Sequence, residues 1–298
     1  MEFAIRLDQP DLARPGGSRR IVFGSDDAPM FAILNGRAAS FEGGADAPDL
    51  SLKWMATGAA DYVSGGRSHR LGGPTLLLLN RGQPYRMRMR GTAESFVVFF
   101  PRRAADAAWN ALTGYATAMP EVPTVAAAYA PLQTHLRALH AACTATQPDP
   151  ARLNEMLHAL LGDVAGLAKL RRGQADRLPA MRRTTRAELL RRVLRAEAYL
   201  REMGARATLD GAADAAALSP FHLIRVFGAV FGATPLAYAA SLRLDHARAE
   251  LMVGGRTIAA IARDAGYASR TAFDRAFARR FGTTPGAARG DQIRNIGG

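Results

Sequence analysis

A seventeen-residue stretch occurs twice in the last third of the chain, and it constrains the fold more than any other feature. Residues 219–235 read SPFHLIRVFGAVFGATP and residues 269–285 read SRTAFDRAFARRFGTTP, at a constant offset of 50 without a gap. Ser219/Ser269, Arg225/Arg275, Phe227/Phe277, Phe231/Phe281, Gly232/Gly282, Thr234/Thr284 and Pro235/Pro285 are identical. Two copies are too few for a solenoid, which needs at least three repeats to bury a continuous core. They imply one compact helical unit used twice.

The punctuation of the repeat fixes its elements. Ser219-Pro220 places an N-cap before a proline at the first helical position, and Thr234-Pro235 repeats that signature after Phe231-Gly232. Thr208 and Thr257 cap a shorter helix ahead of each copy. The expected unit is helix, tight turn, helix, over 208–232 and again over 257–282, preceded by an amphipathic helix over 186–203. A helix over about 235–252 joins the two. In each second helix, positions 223, 226, 227, 230 and 231, with 273, 276, 277, 280 and 281, share roughly one face, on which Leu223, Phe227 and Phe231, and Phe273, Phe277 and Phe281, are expected to form a core stripe. The opposite N-terminal face carries Phe221, Ile224 and Arg225 in the first copy, and Arg270, Thr271, Asp274 and Arg275 in the second.

A helix-turn-helix presents the N-terminal part of its second helix to the DNA major groove. Arginine grips guanine O6 and N7 in a bidentate fork, or a phosphate, which makes Arg225 and Arg275 the leading candidates. Asp274 suits cytosine N4. Phe221 and Ile224 suit apolar contact with a thymine methyl, and His222 a phosphate. Ser219 and Ser269 are N-caps whose helix starts can also receive phosphates.

Charge agrees with that reading. The net charge is +13, divided as +4 over residues 1–175 and +9 over the shorter 176–298, which points to a polyanionic partner. Of the 39 lysines and arginines only Lys53 and Lys169 are lysine.

The first hundred residues read as strands. RIVFG (20–24), MFAILNGRAASF (30–41), LSLKWMATG (50–58), TLLLLN (75–80), YRMRMR (85–90) and SFVVFF (95–100) are short, apolar or alternating, and separated by Gly, Asp and Pro turns. In 85–90 the alternation sends Met87 and Met89 to one face and Arg86, Arg88 and Arg90 to the other. The expectation is a sandwich or small barrel, whose interior can hold a small ligand. From about 102 the pattern turns helical, with amphipathic helices over 124–145 and 151–172. One apolar stripe is expected to cover the barrel and another to serve self-association as an antiparallel helix pair across a two-fold. Residues 172–185 are polar and carry Gly173 and Pro179, giving domains of 1–175 and 186–298 with a linker over 176–185.

The C-terminal hundred residues resemble the AraC/XylS family of transcription regulators. IAAIARDAGYASRTAFDRAFARRFGTTP (258–285) carries the resemblance most specifically. The first copy departs from it, with Gly211 inside its first helix and Ala216 standing where Gly266 stands in the second, which leaves the first unit less rigid. The resemblance implies sequence-specific binding to promoter DNA and control of transcription, with RNA polymerase as a further partner. HRLGGPTLLLLNRGQPYRM (69–87) is similar to the cupin-type sensor domains of such regulators, and implies a small-molecule effector. Trp54, Tyr62, His69, Tyr85 and Arg86 are the candidates to line its pocket. The expected fold is therefore α+β in two domains, a cupin-like β-barrel with helices and an all-α double helix-turn-helix.

Other classes find little support. His69 stands without the second histidine and glutamate of a metal-binding cupin, so no metal and no cofactor is expected. Cys143 is alone, which excludes an internal disulfide framework and any cysteine-based zinc site. No P-loop or nucleophile elbow occurs, and the chain is not expected to be an enzyme. A cytoplasmic regulator fits best, since no apolar run reaches eighteen residues and the N-terminus has no signal-peptide pattern. The alternatives are a cupin-fold enzyme tethered to DNA and a DNA-binding regulator without an effector.

Overall fold

The computed structural model describes residues 5–8, 18–23, 31–46, 48–122, 129–179, 182–253 and 255–289. It divides into two compact units, Met1–Gly173 and Gln174–Gly298.

The first unit is built on one antiparallel sheet. Its strands are β1 (Ile5–Asp8), β2 (Ser18–Phe23), β3 (Phe31–Ala45), β4 (Leu50–Thr57), β5 (Ala59–Ser64), β6 (Arg67–Gly72), β7 (Leu76–Leu79) and β8 (Tyr85–Phe100). The order is β1-β2-β3-β8-β4-β7, with β5 pairing both β6 and β8. The two stretches YRMRMR and SFVVFF, read separately in the sequence, form one sixteen-residue strand, β8. Its C-terminal half pairs with β4 and the start of β3, and its N-terminal half pairs with β5 and the end of β3. A strand shared in this way bends the sheet into a half-barrel. Strands β1, β5 and β6 are additions to the sequence reading. β5 and β6 hide because AADYVS and RSHRLG mix polar and small residues without a long apolar run.

Both faces of the central strands are covered. Ile33, Leu52 and Val98 stand in register on one face and pack on helices α1 (Arg102–Thr113), α2 (Ala130–Thr144) and α3 (Pro150–Asp176). Leu136, Leu139, Leu157, Leu160 and Val164 meet them there, each fully buried, contributing about 1.5–3 kcal/mol apiece. The other face carries Met55, Tyr62, Leu77, Leu79, Met87 and Met89 and forms the barrel interior. In β8 the alternation holds: Met87 and Met89 are buried, and Arg86 and Arg88 pair outside with Asp46 (2.8 Å) and Glu42 (2.5 Å).

Two expectations about the helices change. Residues 123–128, the start of the helix expected at 124–145, lie outside the described residues, and α2 begins at Ala130. The apolar stripes of α2 and α3 are spent inside the unit. Leu132, Leu153 and Leu161 join the same core as Cys143, and the large apolar residue left exposed on α3 among the described residues is Leu170. The second stripe assigned to self-association through 124–172 is therefore a core face. Helix α3 continues past Gly173 to Asp176, so the polar stretch 172–185 begins as helix; a glycine in a helix weakens it without ending it.

The second unit is helical: α4 (Arg183–Met203), a 3-10 turn (Gly204–Arg206), α5 (Leu209–Ala216), α6 (Pro220–Phe231), α7 (Pro235–Val253), α8 (Ile258–Asp264) and α9 (Arg270–Phe281), with residues 285–289 also helical. Residues 174–179 belong to it: Leu178 is buried, and Arg177 donates to the carbonyl of Val230 at 3.4 Å. Gly211 has a packing reason, because a Cβ there would sit 2.0 Å from the Tyr199 hydroxyl of α4. Glu197 on α4, though only 4% exposed, accepts from Tyr238 on α7 at 2.8 Å and pairs with Arg201. A buried carboxylate is tolerated when paired in this way.

Candidate nucleic-acid interface

Each unit of the repeat is held by the same four devices. Thr208 and Thr257 accept from the amides of Gly211 and Ala260 (3.1 and 3.2 Å) at the start of α5 and α8. Ser219 and Ser269 accept from His222 and Ala272 (3.3 and 3.2 Å) at the start of α6 and α9. Gly232 and Gly282 end those helices at φ 71° and 70°. Thr234 caps α7, and Thr284 caps the helical residues 285–289. Each N-cap contributes about 1 kcal/mol by satisfying an amide that the helix leaves unpaired.

The aromatic stripe is the core of each unit. Phe227, Phe231 and Tyr238 stack with ring centres 4.5–5.4 Å apart, and Phe273, Phe277 and Phe281 at 4.5–5.6 Å. Leu223, Val226, Phe227, Phe273 and Phe277 are fully buried. Position 280 shares that face without joining the stripe. Arg280 points away from the core and forks onto Asp245 of α7 at 2.9 and 2.6 Å. A charge at that position stays at the edge of the core, where a carboxylate meets it.

The two turns differ by one residue. The N-caps Thr208 and Thr257, the left-handed residues Ala217 and Gly266, and the bonds Leu218 N–H to Ala213 O and Tyr267 N–H to Ala262 O are all offset by 49. The second helices are offset by 50. Gly266 therefore corresponds to Ala217 and not to Ala216, and the second turn carries one extra residue before its N-cap. Ala217, at φ 53°, is the single non-glycine residue with positive φ among those described. Its turn is supported from α4, where Arg192 and Arg195 donate to the carbonyls of Ala217 and Ala216 at 3.3 and 3.1 Å.

Helices α5 and α6 cross at 82°, close to the interhelical angle of DNA-binding helix pairs. The free faces of α6 and α9 carry the residues singled out in the sequence. Phe221 is 81% exposed and Ile224 38%. Arg225, Arg270, Thr271 and Arg275 are exposed, and His222 is half-buried. Arg225 and Arg275 occupy matched positions, and neither forms an ion pair with a described residue. Asp274 is half-buried, and its carboxylate lies 3.6 Å from Arg270. Helix α7, about 28 Å long at 1.5 Å per residue, joins the units.

The five residues assigned to an effector pocket separate. Tyr62, His69 and Tyr85 stand together on the barrel interior: Tyr62 and His69 are register partners, and the rings of Tyr62 and Tyr85 are 5.9 Å apart. Burial lowers the pKa of His69, with Arg67 adding to it. Trp54 faces the helices, where its indole donates to Gly73 O at 3.3 Å and stacks edge-on with Phe96 and His140. Arg86 is exposed and lines an open, mixed-charge cleft of about 840 Å³ with Glu42, Asp46 and Asp61. Strand parity explains the split, because residues 54 and 86 point opposite to 53 and 85.

The interior also holds a residue the sequence reading passed over. Lys53 is fully buried, its amine has no hydrogen-bond partner, and it lies 4.2 Å from the centre of the Tyr85 ring and 4.4 Å from that of Phe99. Burial lowers its pKa to about 7. The hydroxyls of Ser51 and Tyr62 are likewise buried without a partner, and burial, with Tyr85 adding, pushes the Tyr62 hydroxyl further into its neutral form. Each unsatisfied buried group costs about 1–3 kcal/mol. The signal was present in LSLKWMAT: a lysine inside a strand with both faces apolar has no solvent to reach.

Among the described residues no single helix is long and apolar enough to cross a membrane.

Comparison with known proteins accounts for both units. A model of the AraC-binding-like domain matches residues 30–195, and a helix-turn-helix domain model matches residues 212–291. The chain is 38% identical over 72 residues to the virulence regulon transcriptional activator VirF of Yersinia enterocolitica, covering 24% of this chain and 27% of that one. It is 36% identical over 89 residues to the RCS-specific transcriptional activator RclR of Escherichia coli K12, covering 30% and 31%. The chain thus spans less than a third of the length of these relatives. Among solved structures it is similar to ToxT of Vibrio cholerae O395, with 10% identity, a TM-score of 0.35, and coverage of 87% of this chain and 96% of that one. With more than half of its residues matching the AraC-binding-like domain and most of the remainder a helix-turn-helix domain, the chain belongs to the AraC family of transcriptional regulators.

Proposed function

We propose that the chain is a promoter-binding transcriptional regulator whose two recognition helices, α6 and α9, enter successive major-groove faces, and whose barrel interior takes a small-molecule effector that sets its activity. The observation that carries the first part is the pair Arg225 and Arg275. Both are exposed, both lie outside any ion pair with a described residue, and both sit at the same place on capped helices whose other face is core. An arginine so placed is free to fork onto guanine. The two helices differ in what they offer: α6 presents Phe221 and Ile224 beside its arginine, and α9 presents Arg270 and Thr271. We assign more polar base readout to α9, and more apolar and phosphate contact to α6.

The effector reading rests on the barrel interior, where Tyr62 adjoins His69 and Tyr85, the Tyr85 ring lies beside the Lys53 amine, and the polar atoms of Lys53, Ser51 and Tyr62 lack partners. A homodimer through 124–172 would use the outer faces of α2 and α3, since their apolar stripes are core.

Binding-site selection with the full chain tests the DNA part. Arg275→Ala is expected to weaken specific binding by about 1–3 kcal/mol and to relax one base position. Arg225→Ala should relax a different position, about 10 base pairs away. A motif and affinity unchanged by both substitutions would sink the assignment.

A further inference from the structure

Lysine is rare in this chain, and one of its two copies stands where no surface cation is needed. Every exposed basic position but Lys169 is met with arginine, and Lys53 sits inside the half-barrel, fully buried. Arginine stays charged in proteins, whereas lysine can lose its proton when desolvated. Around the Lys53 amine lie the faces of Tyr85 and Phe99, with Met55, Leu77 and Leu79 on the same side of the sheet. The Tyr62 ring adjoins that of Tyr85, and Ser51 is two residues away on the same face of β4. The Lys53, Ser51 and Tyr62 polar atoms are all without hydrogen-bond partners.

From this geometry we infer that Lys53 is a nucleophilic amine and that the barrel interior captures a small apolar aldehyde or ketone as an imine. The inference rests on the effector reading of the same interior. The amine lone pair attacks the carbonyl carbon, a C–N bond forms, and the carbonyl oxygen becomes a hydroxyl. That hydroxyl leaves as water with both amine protons, and C=N replaces C=O. The Tyr62 and Ser51 hydroxyls are the donors for the carbonyl oxygen as negative charge develops on it. Both starting amine and product imine are neutral, which suits a site without a buried counter-ion. Burial also lowers the pKa of the amine to about 7, so near neutral pH much of it is unprotonated and reactive.

Full-length protein is incubated with butyraldehyde and sodium cyanoborohydride at pH 7.5, and the adducts are located by peptide mass spectrometry. Lys53 is expected to be alkylated roughly tenfold or more faster than the exposed Lys169, which serves as an internal control in the same molecule. Tyr62→Phe should slow the reaction at Lys53 and leave Lys169 unchanged. Labelling of Lys53 no faster than Lys169 in folded protein would overturn the inference. So would protection of the fold by sodium octanoate with Lys53 unlabelled, which would make the ligand a carboxylate. Promoter affinity measured on the same samples separates the two readings. Labelling of Lys53 without a change in affinity supports imine capture and removes effector control. A change in affinity without labelling does the reverse.

Discussion

The two units of this chain treat their polar atoms in opposite ways. In the DNA-binding unit the helix starts at Thr208, Ser219, Thr234, Thr257, Ser269 and Thr284 are all capped by their own side chains. Where an atom there lacks a partner, as at Asp274 Oδ1, Arg195 Nε and Arg289 Nε, the same group is engaged through another atom. In the barrel, Lys53, Ser51 and Tyr62 have their polar side-chain atoms buried with no partner. A fold selected for stability alone would fill that space with apolar side chains. The contrast sets a helical unit whose polar groups are engaged within the fold against a barrel interior that leaves three buried polar groups unsatisfied.

The largest effect that would break this comparison lies in the helical unit. Phe277 is fully buried between Phe273 and Phe281, with ring centres 5.6 and 4.5 Å away. Phe277→Ala is expected to cost about 3–5 kcal/mol in urea unfolding, since the truncation removes the ring and leaves a cavity. A loss below about 1 kcal/mol would mean that the aromatic stripe is not what holds the second unit together.

The barrel should respond in the opposite direction. Lys53 titrates near 7 in the folded chain and at 10.5 when exposed. Between those values the unfolded chain holds a proton that the native chain lacks, so stability rises with pH from about 7 to 10.5. Lys53→Met keeps much of the volume and removes this cost. It should stabilise the protein at pH 7 on the order of 3 kcal/mol, with the gain shrinking towards pH 10. Chemical denaturation at the two pH values checks it. A destabilised Lys53→Met protein at pH 7 would show that the lysine is paired in the native state, and the contrast between the units would fall.

How much of this was legible in the sequence depends on the same division. The helical unit was almost fully readable because its signals are local: a cap, a proline and a glycine fall at fixed spacings, and the repeat states them twice. The single extra residue in the second turn is the exception there, because the constant offset of 50 belongs to the second helices and does not reveal it. In the barrel the strands with long apolar runs were visible, but β5 and β6 were not. Which residues share the interior depends on strand register and on the bulges near Ala38/Ser40 and Met55/Thr57, which no local pattern encodes. Trp54 and Arg86 thus stand on the other side of the sheet from Tyr62 and Tyr85, a separation that the sequence pattern does not show. Lys53 is hidden for the same reason. Its significance appears only when β8 and the helices cover both faces of β4.

The smallest effect sharpens the comparison inside the helical unit, between its two turns. Both turns need a left-handed residue, and the second supplies Gly266 at φ 80° where the first supplies Ala217 at φ 53°. A side chain in that conformation costs about 1–2 kcal/mol, partly offset because alanine loses less backbone entropy than glycine on folding. The surroundings differ as well. A Cβ on Gly266 would meet the Cβ of Ala205 at 2.8 Å, whereas Ala217 is exposed and its carbonyl is held by Arg192. Gly266→Ala should therefore lose more than about 1 kcal/mol, and Ala217→Gly should gain about 0.5–1 kcal/mol. Opposite signs in paired thermal melts are expected. Equal losses from both substitutions would mean that Ala217 is fixed by its contacts with α4 rather than tolerated in spite of its backbone, and that the first turn is as optimised as the second.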